Sequence, residues 1–413
     1  MEVDLAKITL ARHNLNGIVK KTPCMYNESL SKNTGANVYL KREDLQDVRS
    51  YKIRGAFSLI SGLSPEDKNK GIVCSSAGNH AQGVAFACKK LGIKGTIFMP
   101  VTTPKQKANK TKKFGEGYVD VNLVGDTFDD ASKESMKFAD KTGAVFVHPF
   151  NDPRVIAGQG TIAHELFEQL QEIDYIIVPV GGGGLIAGIG TYIKEVSPKT
   201  KIIGVEPKGA ASMTEALKHG KPVELETITK FIDGASVKKV GDKSFEIAKK
   251  VIDNIFTVPQ GAVCSSIMEL FNNEGIVAEP AGAMSIAALN HMDIDLKNKN
   301  VVCILSGGNN DWGRLSEIEE KSLLYEELKH YLLIDFPQRP GALREFLDNI
   351  LGPNDDIVRF EYLKKTNREF GPALVGLKVN EPKDFENIRK RLKEKGINYF
   401  EVKNDKRLFE YLV

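Results

Sequence analysis

Tyr175-Ile176-Ile177-Val178-Pro179-Val180-Gly181-Gly182-Gly183-Gly184-Leu185 is an unbroken apolar run that ends in four consecutive glycines. A short apolar stretch without polar alternation suits a strand buried on both faces, the condition of a parallel sheet. The glycines have two readings. One is a tight turn. The other is an anion cradle, because successive backbone N–H groups with no side chains between them can converge on a phosphate at a helix N-terminus. The spacing is not Gly-x-Gly-x-x-Gly, and no Gly-Lys-Ser/Thr follows, so dinucleotide and P-loop readings are disfavoured.

The same pattern recurs on both sides. Residues 37–40, 71–74, 95–99, 201–205 and 300–305 are further apolar strands, separated by helical patterns. This predicts an α/β body from about residue 37 to 310. Two more strands end in small polar residues, where α/β enzymes place ligands. Ser75-Ser76-Ala77-Gly78-Asn79-His80 offers hydroxyls and helix-start N–H groups for a carboxylate, or simply an N-cap. Ser306-Gly307-Gly308-Asn309 closes the last strand and reads equally well as a turn.

A fourth segment, Ser50-Tyr51-Lys52-Ile53-Arg54-Gly55-Ala56, sets one lysine among small, aromatic and glycine neighbours. A lysine that attacks a carbonyl needs a neutral amine, and an apolar or cationic setting lowers its pKa toward that state. Alone it is an ordinary solvated lysine.

After Ser306 the character changes. Residues 314–329 form a charged helical pattern, a connector. Strand 331–336, helix 342–351, strands 356–363 and 373–379 around a Gly-Pro turn, helix 382–395 and strand 399–402 follow. That order, β-α-β-β-α-β, is the ferredoxin-like α+β arrangement. The predicted domains are therefore 1–320, with a smaller subdomain of roughly 50–155 nested in it, a connector at 321–330, and a separate binding domain at 331–413.

Composition narrows the class. The chain has 413 residues, 41% hydrophobic and 27% charged, with a formal net charge of +3. That balance argues for neither nucleic acid nor a membrane surface. The lysines of 105–113 lack interleaved aromatics and read as a solvated helix face. Five scattered cysteines with no Cys-x-x-Cys pair suit buried thiols in a reducing compartment. With no signal-peptide pattern and no apolar run of membrane length, the expected location is the cytoplasm.

The segments Lys-Arg-Glu-Asp-Leu-Gln (41–46), Ser-Ala-Gly-Asn-His-Ala-Gln-Gly (76–83), Gly-Gln-Gly-Thr (158–161), Gly-Gly-Gly-Gly-Leu (181–185), Glu-Pro-Ala-Gly-Ala (279–283) and Ser-Gly-Gly-Asn (306–309) occur together and in this order. In this the chain resembles the fold-type II pyridoxal-phosphate enzymes, the tryptophan synthase β-like family. Residues 1 to about 320 are similar to serine/threonine dehydratases. With the tail, the whole resembles the short biosynthetic threonine ammonia-lyases that carry one C-terminal ACT-like module.

The resemblance implies two parallel-sheet subdomains and pyridoxal 5'-phosphate as cofactor, held covalently by Lys52 with Tyr51 near its ring. It implies Asn79 at the ring oxygen, Gly181, Gly182, Gly183, Gly184 and Leu185 at the phosphate, and Ser306 at the pyridine nitrogen. Ser75, Ser76, Ala77 and Gly78 would meet the substrate carboxylate, and Lys52 would be the α-proton base. His80 is read as structural. The substrate would be L-threonine, with L-serine as a second. Isoleucine or valine would act at the tail, around Phe336-Pro337-Gln338-Arg339-Pro340-Gly341-Ala342-Leu343, and the assembly would be a homotetramer. Two departures matter. Ala77 stands where serine racemases place a second, serine base. Glu206 is kept where some relatives bind a cation, but Ser212 replaces their aspartate, so no metal is expected. The rival readings are a catabolic L-serine/L-threonine dehydratase, another enzyme of this fold such as a cysteine or threonine synthase, and a non-catalytic amino-acid sensor.

Overall fold

The computed structural model describes residues 2–364 and 368–412, and its contacts divide the chain into two units, Met1–Trp312 and Gly313–Val413. In chain order the strands of the first unit are β1 (Cys24–Tyr26), β2 (Asn37–Arg42), β3 (Ile72–Ser75), β4 (Gly95–Met99) and β5 (Val119–Leu123). They continue with β6 (Val145–Phe146), β7 (Tyr175–Pro179), β8 (Lys201–Pro207), β9 (Asn254–Val258) and β10 (Asn300–Leu305). A six-stranded sheet runs β1-β2-β10-β7-β8-β9 and is parallel except for β1. A four-stranded sheet, β5-β4-β3-β6, is parallel throughout.

The apolar strands read from sequence are the inner ones, buried on both faces. Strands β1, β5, β6 and β9 lie at the sheet edges. The edge strand β5 is Val-Asp-Val-Asn-Leu with three exposed residues, and β6 has two residues. In the large sheet the chain steps from β7 to β8 to β9, then returns to lay β10 on the other side of β7. Connections leave in opposite directions from that border. The crevice this opens beyond the carboxyl ends of β7 and β10 is where such sheets take ligands.

Three helices lock the crevice walls together. Helix Pro153–Gln169 crosses helix Lys52–Ser61 on one side and helix Gly184–Val196 on the other. At the first crossing a Cβ on Gly158 would lie 2.6 Å from the Arg54 carbonyl oxygen. At the second, a Cβ on Gly188 would lie 2.3 Å from the Ile156 carbonyl oxygen. Side chains there would push the helices apart.

Buried charge adds to this. Arg54 is fully buried, and its guanidinium donates to both oxygens of Glu43 at 2.8 Å and to Glu165 at 2.6 and 2.9 Å. Lys41, also fully buried, donates to Glu165 at 2.6 Å. Burial alone would raise the Glu43 pKa, but the charge and hydrogen bonds of Arg54 hold it below the usual range. Two cations and two carboxylates thus balance within one dry cluster.

In the second unit β11 (Lys329–Pro337), β12 (Asp356–Tyr362), β13 (Phe370–Lys378) and β14 (Tyr399–Glu401) form an antiparallel sheet ordered β12-β13-β11-β14. Helices Ala342–Ile350 and Pro382–Glu394 bury Phe346, Phe385 and Leu392 in its core, with Leu332, Phe336 and Val375 of the sheet. The expected Gly-Pro turn is instead inside β13. Pro372 accepts from the Leu363 N–H at 3.5 Å, so its missing donor faces β12 just past the last paired residue, Tyr362. A proline is tolerated where a ladder has ended. Helix Leu315–Tyr325 groups with this unit rather than standing apart as a connector, and its Glu320 accepts from the Tyr331 hydroxyl at 2.8 Å.

No described helix is long and apolar enough to cross a membrane. The five cysteines are free, four of them buried.

Because removing one member of a buried ion cluster leaves charge uncompensated, Arg54→Met should destabilise the first unit by about 3–5 kcal/mol. A circular-dichroism melt checks this; a midpoint within a degree of the parent would contradict it.

Candidate functional site

Lys52 opens helix Lys52–Ser61. Its amine donates to the Pro149 carbonyl at 2.9 Å and lies 5.3 Å from the centre of the Tyr51 ring. Burial pushes its pKa down to about 8, with the Glu279 charge opposing. Two imidazoles flank it and both are neutral. His80 donates from Nε2 to the Val147 carbonyl at 2.8 Å, and burial followed by the Lys52 charge takes its pKa to about 3. His148 uses Nδ1 to accept from the N–H groups of Phe150 and Asn151, and the same two causes take it to about 4.

Two predicted segments reach the surroundings of this lysine through backbone contacts. The Tyr51 N–H donates to the Ser306 carbonyl at 3.1 Å, and Gly308 N–H to the Arg49 carbonyl at 2.9 Å. The end of β10 is thereby pinned beside Lys52. Helix Asn79–Leu91 packs so closely that a Cβ on Gly83 would sit 3.1 Å from the Lys52 carbonyl group. That sets Asn79, one turn earlier, at the crevice. The Ser306 hydroxyl donates to the Ala281 carbonyl at a long 3.4 Å, a weak bond that leaves its lone pairs open and that a better-placed acceptor can replace.

The glycine run is held by the segment that touches Lys52. Phe150 follows Pro149, and its ring fills the space where Cβ atoms on Gly182 would fall, at 2.2 Å. Gly183 takes φ +89 and caps helix Gly184–Val196 with no side-chain bond. A helix N-terminus with its first amide donors uncapped is an anion site. Ser75, at the end of β3, has a buried hydroxyl without a partner. A reactive amine, a phosphate cradle, a hydroxyl at a strand end and an unpartnered hydroxyl fit pyridoxal phosphate and an amino acid.

Glu279, Lys107, Lys110 and Glu206 have partners that residue types alone do not give. Glu279 accepts from Asn79 Nδ2 at 2.6 Å and from the Asn309 N–H at 3.2 Å. Burial and then Asp233 push its pKa up to about 7. It precedes the helix Pro280–Ala287, whose Gly282 packs on Gly307, and this is what the Glu-Pro-Ala-Gly-Ala segment builds. The lysines of 105–113 are not all a solvated face. Lys107 pairs with Asp233 at 2.6 Å, and half-buried Lys110 donates to Asn309, across the crevice. Glu206 caps helix Ser212–His219, accepting from the Met213 and Thr214 N–H groups at 2.6 and 2.8 Å. The ends of such caps are not visible in a local pattern of residue types.

Residues 15–307 match the family described as pyridoxal-phosphate dependent enzyme, and residues 320–412 match the C-terminal regulatory domain of threonine dehydratase. The chain is 52% identical over 412 residues to the biosynthetic L-threonine dehydratase of Bacillus subtilis, covering 100% of this chain and 98% of that one. It is 51% identical over 413 residues to the same enzyme of Halalkalibacterium halodurans, covering all of both. Threonine deaminase isoform 2 of Solanum lycopersicum, in its processed form, matches with TM-score 0.74 at 40% identity over 77% of this chain and 88% of that chain. Maize serine racemase matches with TM-score 0.72 at 32% identity, over 79% and 99%.

In cofactor-free protein the Lys52 amine should be acylated with a pH midpoint near 8, because only the neutral form reacts and that form is lost as pH falls through the pKa. Competitive labelling with peptide mapping reads this, and a midpoint like that of surface lysines would contradict it.

Proposed function

We infer the reaction from one premise: the chain belongs to the pyridoxal-phosphate-dependent enzyme family and, along its full length, to the biosynthetic threonine dehydratases. It deaminates L-threonine to 2-oxobutanoate and ammonia by α,β-elimination, a step toward isoleucine, under feedback control through its C-terminal domain. The observation that carries the reading is Lys52, an amine with its pKa lowered to about 8, set beside Asn79, Ser306 and the glycine cradle.

When bound, pyridoxal phosphate supplies the electron-withdrawing system that acidifies the substrate's α-C–H bond. The backbone of 181–185 would hold its phosphate, Asn79 its ring oxygen and Ser306 its pyridine nitrogen. A hydroxyl at that nitrogen, unlike a carboxylate, does not enforce a charged ring, which favours elimination over transamination. The loop 75–78 binds the α-carboxylate at the start of helix Asn79–Leu91. Lys52 Nζ takes the α-proton, a role suited to a base with a pKa near the working pH. The electron pair of that C–H bond becomes the new C=C bond as the β C–O bond breaks, and the departing hydroxyl takes up a proton to leave as water, balancing the one that Lys52 has gained. The enamine product then hydrolyses to 2-oxobutanoate and ammonia.

Isoleucine or valine is the effector assigned to the C-terminal domain, and a homotetramer is the assembly this reading favours. The match to a regulatory domain argues against the catabolic enzyme. Retention of Lys52, Asn79, the glycines and Ser306 argues against a non-catalytic sensor.

Lys52→Ala should lower 2-oxobutanoate formation from L-threonine by at least about 10³-fold while the protein stays folded. Undiminished turnover overturns the reading. Ala77 carries no proton-bearing group, so L-serine should yield pyruvate and ammonia with no accumulating D-serine. Chiral chromatography decides this, and appreciable D-serine would place the chain with the racemases it resembles in fold.

A further inference from the structure

Four side chains, Asn79 among them, form a hydrogen-bond chain with a fixed direction. Lys110 Nζ donates to Asn309 Oδ1. Asn309 Nδ2 donates to Asn79 Oδ1 at 2.6 Å and to the Val48 carbonyl at 2.8 Å. Asn79 Nδ2 donates to Glu279 Oε1 at 2.6 Å, and Glu279 Oε2 accepts from the Asn309 N–H at 3.2 Å. An ammonium only donates and a carboxylate only accepts, whereas an amide can present either end.

Between these ends neither amide can turn over. Rotating Asn309 by half a turn would set its NH2 against the Lys110 ammonium and its oxygen against the Val48 carbonyl. Rotating Asn79 would set its NH2 against that of Asn309 and its oxygen against the Glu279 carboxylate. The nitrogen of Asn79 carries two hydrogens, and Glu279 takes one.

We propose that Lys110, Asn309 and Glu279 are positioning residues that fix the Asn79 amide so that it offers an N–H, and not its carbonyl, to the ring oxygen of bound pyridoxal phosphate. This rests on the assignment of Asn79 to that oxygen made above. Lys110 and Asn79 come from the side of the four-stranded sheet, Asn309 and Glu279 from the six-stranded one. The same bonds therefore fasten the two crevice walls at the point where the cofactor is read.

The test is titration of cofactor-free variants with pyridoxal phosphate at pH 8, above the value of about 7 to which burial pushes Glu279. Affinity and the position of the visible absorption band are read together, with the melting temperature of the cofactor-free protein as a folding control. A glutamine at 279 has one acceptor for two donors, so Glu279→Gln should weaken cofactor binding about 10-fold and displace the band in the same direction as Asn79→Ala. Lys110→Met should weaken binding about 3-fold, less because Val48 still holds Asn309. Lys110→Arg, which keeps a donor-only cation, should restore the parent values. Because both act through Asn79, the double variant E279Q/K110M should weaken binding, relative to the parent, by less than the product of the two single effects.

If Asn79→Ala changes affinity and band while Glu279→Gln and both Lys110 variants leave them at parent values, the positioning role is wrong and the Asn79 assignment stands. Should Lys110→Arg behave like Lys110→Met, the direction of the chain is not what matters and the proposal also falls. If Asn79→Ala changes neither quantity, the assignment fails and the proposal with it.

Discussion

The fork of Arg54 between Glu43 and Glu165 is the constraint on which the rest of the first unit depends. Arg54 lies two residues beyond Lys52 on the same helix, Glu43 lies just after β2, and Glu165 lies on helix Pro153–Gln169. Bidentate guanidinium–carboxylate geometry fixes both distance and angle, which a lysine in its place could not do. Lys41 and Thr22 complete the cluster, so no charge is left bare in a dry interior. The helix that carries Lys52 is thereby anchored to the large sheet from one side. The glycine crossings at Gly158 and Gly188 anchor it to the glycine-run helix from the other.

That anchoring lets a lysine amine be held where water is scarce. Desolvation is the larger influence on Lys52 and lowers its pKa, while Glu279 acts against it. The two nearby imidazoles add no positive charge of their own, since both are neutral and their rings are oriented by backbone groups. The result is an amine that changes charge near pH 8, a range useful both to a nucleophile and to a base. Glu279 moves the other way, up to about 7, for a related reason: burial penalises whichever form is charged.

Much of this was legible in the residues. The inner strands announce themselves because both faces are buried and no polar residue interrupts them. Strand ends rich in glycine and serine mark the crevice, since only small residues admit a ligand to the backbone. Edge strands such as β5 and β6 carry weaker signals, because they are short or largely exposed and admit polar residues such as Asp120 and Asn122. Long-range ionic partners were also hidden. Nothing local distinguishes Arg54 or Glu165 from surface residues, and Lys110 sits in a run of lysines whose other members at 105, 112 and 113 are exposed. Pro372 misled for a different reason. Gly-Pro usually signals a turn, but here its missing donor falls where pairing with β12 has already stopped.

The central claim is that Lys52, and no other lysine, carries the cofactor. Hydride reduction of the cofactor-loaded protein, followed by proteolysis and mass mapping, makes that bond permanent and locates it. The account predicts the added mass on the peptide containing Lys52, with none on Lys41, Lys107 or Lys110. Label on any of those lysines, or on none, would contradict it.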